Sequence, residues 1–288
     1  MLIRKIEDRC DRCMLCVKEC ASSVWREIKG EPMAYAQEQC NLCGHCIAVC
    51  PKSAVEHKGL DNDQIRKIGK KLFASDEYKE LVLSRRSIRQ YKDASVPEGI
   101  IKNIIDLARY SPTASNSQNI AYTIITDREL LEKISSALFG CGERVNGWMK
   151  TCWGRVIINL FKKTDFVKTL NTYKDSMDYY IAKTREGRNF ILHHAPVLLL
   201  IHGPKNRMFS NDNCSIASTN IINYAHSLGL GTCYIGYLAM ALRFSATLRK
   251  WLKVPKGRKV FVSMVMGYPS YSFSFTVSRK RPAITWIQ

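Results

Sequence analysis

Cys10-Asp11-Arg12-Cys13-Met14-Leu15-Cys16-Val17-Lys18-Glu19-Cys20 and Cys40-Asn41-Leu42-Cys43-Gly44-His45-Cys46-Ile47-Ala48-Val49-Cys50 are two copies of one pattern, Cys-x2-Cys-x2-Cys-x3-Cys, and Pro51 follows the second. They hold eight of the twelve cysteines in a chain of 288 residues. At 46% hydrophobic residues the chain can bury a core without covalent staples. Met1–Asp8 is charged throughout and does not read as a secretory leader. The longest apolar run, Val197–Ile201, is too short to span a membrane. The expected compartment is therefore the cytoplasm, with no membrane partner, and clustered cysteines there ligate metal rather than pair as disulfides. Thiolates at x2 spacing on a wrapping loop can converge on an iron–sulfur cube. Zinc is the alternative, since paired x2 cysteines also build zinc sites, but two tandem four-cysteine runs oversupply them.

Residues 1–58, including the tail Cys50-Pro51-Lys52-Ser53-Ala54-Val55, resemble the bacterial two-[4Fe–4S] ferredoxins. One departure is Ala21, where proline often follows the first run; it bears on a turn and not on a ligand. The resemblance implies crossed ligation, in which the last cysteine of each run serves the other cluster. One cluster would take Cys10, Cys13, Cys16 and Cys50, and the other Cys40, Cys43, Cys46 and Cys20.

Residues 59–80 are polar and basic. Asp61 reads as an N-cap and Ile65, Ile68 and Leu72 fall at helical spacing, so a linker helix is expected there. From Leu81 the texture changes. Arg85-Arg86-Ser87-Ile88-Arg89-Gln90-Tyr91 places three cations and a hydroxyl within five residues, a set that can bind phosphate or be ordinary surface. Val96-Pro97 then starts a helix with Ile100, Ile101, Ile104, Ile105 and Ala108 on one face. It leads to Ser111-Pro112-Thr113-Ala114-Ser115-Asn116-Ser117-Gln118 and a strand, Tyr122–Thr126.

Together these segments resemble the nitroreductase family of FMN enzymes. Leu228-Gly229-Leu230-Gly231-Thr232-Cys233-Tyr234-Ile235-Gly236 looks like that family's flavin-ring loop, and Val254-Pro255, Lys259–Met266 and Gly267-Tyr268-Pro269 look like its late strand and turn. The fold expected is α+β: a small ferredoxin-like domain (1–58), the linker (59–80), and a nitroreductase-like α/β sandwich (81–288) whose central, mostly antiparallel sheet is flanked by helices. The resemblance assigns Arg85, Arg86, Ser87 and Arg89 to phosphate, ribityl or pyrimidine contacts. Arg279 and Arg281 fall to the phosphate, which arginine's fork suits. Pro112, Thr113, Ala114, Ser115, Asn116 and Gln118 would approach the ring from the partner subunit of a homodimer. Tyr234, Ile235 and Gly236 would present backbone groups at its reactive edge. No general acid or base is identified, which is tolerable because the flavin carries the hard chemistry.

Residues 139–190 form the variable region, basic and aromatic with Trp148, Trp153, Phe161, Phe166, Tyr173, Tyr179 and Tyr180. They read as a lid able to stack on a planar substrate, or as two packed helices. Cys141, Cys152 and Cys214 have no x2 companion and read as buried or incidental. His193-His194 precedes the strand Ala195–Ile201; adjacent residues on an extended chain face opposite ways, so the two do not share a site. The helix from Asn213 to Leu228 is expected to bury Ile216, Ala217, Asn220, Ile221, Tyr224 and Ala225, with Gly229 and Gly231 ending it.

Net charge is +19. Residues 59–288 carry 35 Lys+Arg against 17 Asp+Glu, and no acidic residue follows Asp212. Arg243, Arg249, Lys250, Lys253, Lys256, Arg258 and Lys259 fall in one short stretch. Such a field attracts anions. No nucleic-acid signature accompanies it, so the expected partner is an acidic redox donor, ferredoxin or flavodoxin. NAD(P)H is a second donor, with no Gly-x-Gly-x-x-Gly after a strand to support it. Electrons would enter at one cluster, cross to the other and reach FMN, which reduces a small organic acceptor (nitro, quinone or activated double bond). The alternative is an electron-transfer or redox-sensing module acting on a protein partner.

Overall fold

The computed structural model describes residues 2–68, 74–160 and 176–288, and it divides the chain into two units: Met1–Phe73 with Thr113–Gln118, and Ala74–Pro112 with Asn119–Gln288. No helix among the described residues is long and apolar enough to cross a membrane.

In the first unit, β1 (Ile3–Lys5) pairs antiparallel with β4 (Val55–His57), and β2 (Trp25–Ile28) forms a hairpin with β3 (Glu31–Ala34). Lys29 (φ 51°) and Gly30 (φ 77°) turn that hairpin, the left-handed pair that matches strand twist in a two-residue loop. Two one-turn helices, α1 (Leu15–Lys18) and α2 (His45–Ala48), follow the cysteine loops. Ile3, Val24, Trp25, Cys46 and Val55 form the buried centre. So little apolar surface is marginal for a unit of this size; a bound group is the usual remedy.

Of the helix read over 59–80, the described residues show none over 59–68 beyond one 3-10 turn, and a helix only from Ser75 onward. Asp61 does cap, accepting from Asp63 N, but the structure it caps is a single 3-10 turn, Asn62–Gln64. Ile65 and Ile68 are 44% and 80% exposed outside any helix. With no surface for the stripe to pack on, spacing alone does not stabilise a helix. Leu72 lies outside the described residues. A helix, α3 (Ser75–Ser84), begins later and runs past residue 80, with the Glu77 carboxylate accepting from Ala74 N–H at its start.

The second unit is built on a four-stranded antiparallel sheet of order β5-β6-β8-β7: β5 (Ala121–Ile125), β6 (Val197–Pro204), β8 (Arg258–Gly267) and β7 (Gly231–Tyr234). Both faces of β6 are buried, and alternate residues enter separate cores. Leu198 and Leu200 pack with Ile134 and Leu138 of α5 (Arg128–Met149) and Leu238 of α9 (Gly236–Phe244). Val197, Leu199 and Ile201 pack with Ile101 and Ile104 of α4 (Glu98–Ala108) and with Cys214 and Ile221 of α8 (Ser210–Ser227). This is the helix-flanked antiparallel sheet expected from the sequence.

Helix α8 ends in a Schellman motif: Gly229 (φ 75°) donates to His226 O and Leu230 to Ala225 O, at 3.0 and 2.9 Å. Its buried face departs from the expected stripe. Ile216 is 40% exposed, whereas Ser210, Asn213, Cys214 and Ser218 are buried. Polar residues are tolerated there because they find acceptors, such as Ser210 Oγ with Pro204 O at 2.8 Å.

Within 139–190, α5 reaches Met149 and α6 (Cys152–Leu160) follows. A further helical stretch, α7, covers 176–185. Trp148, Trp153 and Tyr179 are exposed, and the Tyr180 ring lies 5.0 Å from that of Phe190. Phe161, Phe166 and Tyr173 lie outside the described residues. His193 and His194 are not extended, as the sequence reading supposed: both are left-handed (φ 56° and 52°). They still face different groups. His194 meets Glu132 and Gly187 O, while His193 feels the charge of Arg89.

Candidate functional site

The eight clustered cysteines divide into two fours. Cys10, Cys13, Cys16 and Cys50 line one cavity, and Cys20, Cys40, Cys43 and Cys46 line another. Left-handed residues bend each loop around its cavity at matching places: Arg12 and Met14 in the first run, Leu42 and Gly44 in the second. Each run's last sulfur accepts a backbone N–H, Val24 N to Cys20 Sγ and Ala54 N to Cys50 Sγ, both at 3.2 Å. Four soft thiol donors around one space suit an iron–sulfur cluster.

Burial pushes the Cys16 thiol up to about 11 and also raises that of Cys46, so these groups favour the protonated thiol unless a cationic metal core offsets the burial. Trp25 lines both cavities, and its buried Nε1–H has no acceptor at standard hydrogen-bonding geometry, although it eases Cys46 toward thiolate. Sequence reasoning missed Trp25, and it also missed His57, whose Nε2 lies 3.4 Å from Cys40 Sγ. Comparing residues outside the cysteines between the two repeats would have flagged both.

In the second unit the segment 85–91 runs along the outer edge of β7 and against the turn that follows β8. Ser87 bridges Thr232 in parallel, Ile88 N donates to Thr232 O at 3.0 Å, and Lys92 N donates to Tyr268 O at 2.8 Å. The Arg85–Arg89 and Gly231–Gly236 groups, far apart in sequence, thereby become neighbours. Burial raises the Cys233 thiol, and the neighbouring Arg89 guanidinium acts to hold it down. Burial, helped by Arg89, pushes His193 down to about 4. Burial also lowers His226, with Arg85 and Arg86 adding to the effect. Arg86 donates to Leu83 O and Arg85 O, both at 2.7 Å, and to Phe275 O at 3.3 Å, while its buried Nε lacks a partner.

Tyr234 OH and Ser218 Oγ are 2.8 Å apart. Ser263 fixes the next residue, its Oγ donating to Ile235 O at 2.6 Å while Ile235 N donates to Ser263 O at 2.8 Å. Gly236 then opens α9. In the 111–118 loop, Ser111 is buried and accepts from Asn220 Nδ2, so it serves the fold. Ala114–Asn116 makes a 3-10 turn with Ser115, Asn116 and Gln118 left-handed, and Gln118 N donates to Thr113 Oγ1. Thr113–Gln118 groups with the first unit, where Asn116 Nδ2 donates to Asn41 O at 2.9 Å; Pro112 stays with the second. Arg279 and Arg281 lie on an exposed arm without regular structure, and Arg279 donates to its neighbour Ser278 O. Among the described residues, no bond joins them to Arg85–Arg89.

The orphaned Arg86 Nε, the two further arginines of its segment and the pinned Tyr234–Gly236 backbone fit an anionic, planar cofactor. The nitroreductase family model matches residues 82–268, and a 4Fe-4S dicluster domain model matches residues 9–55. A Methanothermobacter thermautotrophicus protein named "Putative NADH dehydrogenase/NAD(P)H nitroreductase" is 27% identical over 195 residues, 66% of this chain and 76% of that one. The 4-nitrobenzoate reductase of Nocardioides sp. is 25% identical over 211 residues, 68% of this chain and 81% of its own. A nitroreductase from Bacteroides fragilis, solved with bound FMN, shares the fold with a TM-score of 0.52 at 20% identity, over 74% of this chain and 99% of its own. With its sheet, its Arg85–Tyr91 segment and its leading cysteine domain accounted for, this chain belongs to the nitroreductase family of oxidoreductases and carries a 4Fe-4S dicluster domain ahead of the family domain.

Proposed function

We propose that the chain is an iron–sulfur flavoprotein oxidoreductase, with two [4Fe–4S] clusters on the input side, FMN on the output side, and a nitro, quinone or activated-alkene compound as acceptor. The observation that carries this reading is the division of eight cysteines into two four-thiol cavities ahead of a nitroreductase domain. When bound, the clusters supply one-electron transfer and FMN converts single electrons into a hydride.

The chain's own residues have definable tasks. Cys10, Cys13, Cys16 and Cys50 would hold one cluster and Cys20, Cys40, Cys43 and Cys46 the other. Arg85, Arg86, Ser87 and Arg89 would bind the anionic and polar parts of FMN, with Arg279 and Arg281 reaching its phosphate from the arm. Pro112–Asn116 and Gln118 would line the ring, and Tyr234–Gly236 would offer backbone groups to it. The arm supports a homodimer: Tyr271, Phe273, Phe275 and Val277 are all exposed at alternate positions, an apolar edge that a second copy would cover. The excess of cations favours an acidic ferredoxin or flavodoxin as donor.

An anaerobic spectrum with iron, sulfide and flavin quantified tests the reading. The expected content is about eight iron and about one FMN per chain. Zinc without iron overturns the cluster half, and flavin-free protein overturns the other. Arg89→Ala should cost a charge-assisted bond of about 1.5–3 kcal/mol, loosening FMN by about ten- to a hundredfold. Flavin fluorescence released on dilution measures this, and unchanged retention removes Arg89 from the cofactor site.

A second reading, transfer to a protein partner, is favoured by the basic run Arg243–Lys259. Nitroaromatics, quinones and enones separate the two. If none reoxidises the reduced flavin faster than buffer does, the small-acceptor reading fails.

A further inference from the structure

The two cysteine cavities come from an internal repeat in which each residue aligns with the one 30 positions later, Cys10 with Cys40 and Cys20 with Cys50. Most of the geometry repeats faithfully. Ser23 and Ser53 are both left-handed, at φ 53° and 48°. Cys20 and Cys50 each accept one backbone N–H at 3.2 Å. Because these two sulfurs belong to different cavities, each cavity receives one such bond.

Position 57 breaks the symmetry. Its counterpart, Glu27, is exposed on β2. His57 is 1% exposed and lines the second cavity, with Nε2 3.4 Å from Cys40 Sγ. The ring's protonation pattern follows from its other side. Gly59 N–H donates to Nδ1 at 3.1 Å. A backbone N–H can only donate, so Nδ1 carries a lone pair and the ring proton sits on Nε2, facing the sulfur. This approach needs glycine: a Cβ at position 59 would lie 2.9 Å from Leu42 Cδ2 and 3.1 Å from His57 Cε1.

We propose that His57 makes the cluster of Cys20, Cys40, Cys43 and Cys46 the more easily reduced of the two, through an Nε2–H···S bond to Cys40 that the other cluster lacks. The proposal rests on the two-cluster reading. Reduction adds one electron whose charge spreads over the sulfurs, so a donor aimed at a sulfur stabilises the reduced state more than the oxidised one. One competing effect has to be weighed. Lys5 lines the first cavity and could favour reduction there. Its Nζ, however, lies between Glu7 and Glu31, at 2.9 and 2.8 Å, and Arg12 pairs with the same Glu31 at 2.7 Å, so the two cations there face two carboxylates and leave no net charge. With both clusters bound, this difference would favour passage of one electron from the site of Cys10, Cys13, Cys16 and Cys50 to that of Cys20, Cys40, Cys43 and Cys46, with the His57 proton kept on Nε2.

The test is an EPR-monitored redox titration of the full, loaded chain. Wild type should show two midpoints. His57→Phe keeps a ring and removes the donor; it should lower one midpoint by about tenfold in the one-electron equilibrium, about 59 mV, and leave the other in place. His57→Gln, which retains an N–H, should fall between them. Midpoints that do not move, or that move together, overturn the proposal. If the variants load poorly, wild type labelled with ¹⁵N-histidine decides the matter. The first cluster to be reduced should show hyperfine coupling to a ring nitrogen and to an exchangeable proton, and coupling confined to the second overturns the proposal. The underlying reading fails separately: about four iron per chain removes the two-cluster premise, whereas about eight with unmoved midpoints removes only the role of His57.

Discussion

Replacing Cys40 and Cys43 together by serine should halve the iron, from about eight to about four per chain, and should cut reduction of the flavin by reduced ferredoxin to background. Both cysteines line the second cavity with Cys20 and Cys46. Serine is a hard, weakly acidic oxygen donor that replaces a soft thiolate poorly, and two missing ligands leave a cube held at two corners. The flavin should be retained but held more loosely: Arg85–Arg89 and Gly231–Gly236 belong to the other unit, whereas the Thr113–Gln118 loop groups with the first and is tied through Asn116 to Asn41, between the two substituted cysteines. Dithionite should still bleach it. Iron analysis and anaerobic stopped-flow absorbance check the two halves of the prediction. Ferredoxin- or NAD(P)H-driven turnover that survives the double substitution would mean that the clusters are not on the electron route.

Gly231→Ala should destabilise the second unit and release its flavin. A Cβ there would lie 2.3 Å from Ile88 Cγ1 and 2.6 Å from Ile88 Cβ. Ile88 is buried, β-branched and tied to Thr232 O through its own N–H, so it cannot turn aside. The backbone of 85–91 must move off β7, at a cost of about 1–3 kcal/mol or more, a loss of roughly 3–10 °C in Tm for a unit of this size. Arg89 and Ser87 move with it, so FMN should wash out on desalting. Gly229→Ala is the control. Its φ of +75° is strained for alanine, but its Cβ meets nothing within 4 Å. It should cost about 1 kcal/mol and keep the flavin. Ile88→Ala in the Gly231→Ala background should recover much of the loss. Equal Tm values for the two glycine variants would show that close approach to Ile88 is not what keeps position 231 a glycine.

Local spacing carried a good part of the reading. The x2 and x3 intervals identified the cysteines, since ligands on one short loop are close in space whatever the rest of the chain does. The stripe Ile101-Ile104-Ala108 is buried on α4 as its period requires, and the alternation in β6 divides two cores. Spacing failed where a neighbour had to be supplied. Ile65 and Ile68 have helical spacing and no helix, and Ile216 sits on the exposed side of a helix that buries serine and asparagine instead.

By itself the sequence marked which residues are chemically special: eight thiols in two repeated runs, an arginine-rich segment and a glycine-bearing loop, each recognisable from residues within ten of one another. Only the tertiary structure decided how these combine. Cys50 joins Cys10 across forty residues because β1 pairs with β4, and Arg89 meets Cys233 because Ile88 docks on Thr232. His57 turns its proton to Cys40 because Gly59 occupies the other ring nitrogen. The physical reason is the same in each case. Periodicity reports the face a residue presents, whereas pairing over long separations depends on which surfaces exclude water together, and that is fixed only when the chain has closed on itself.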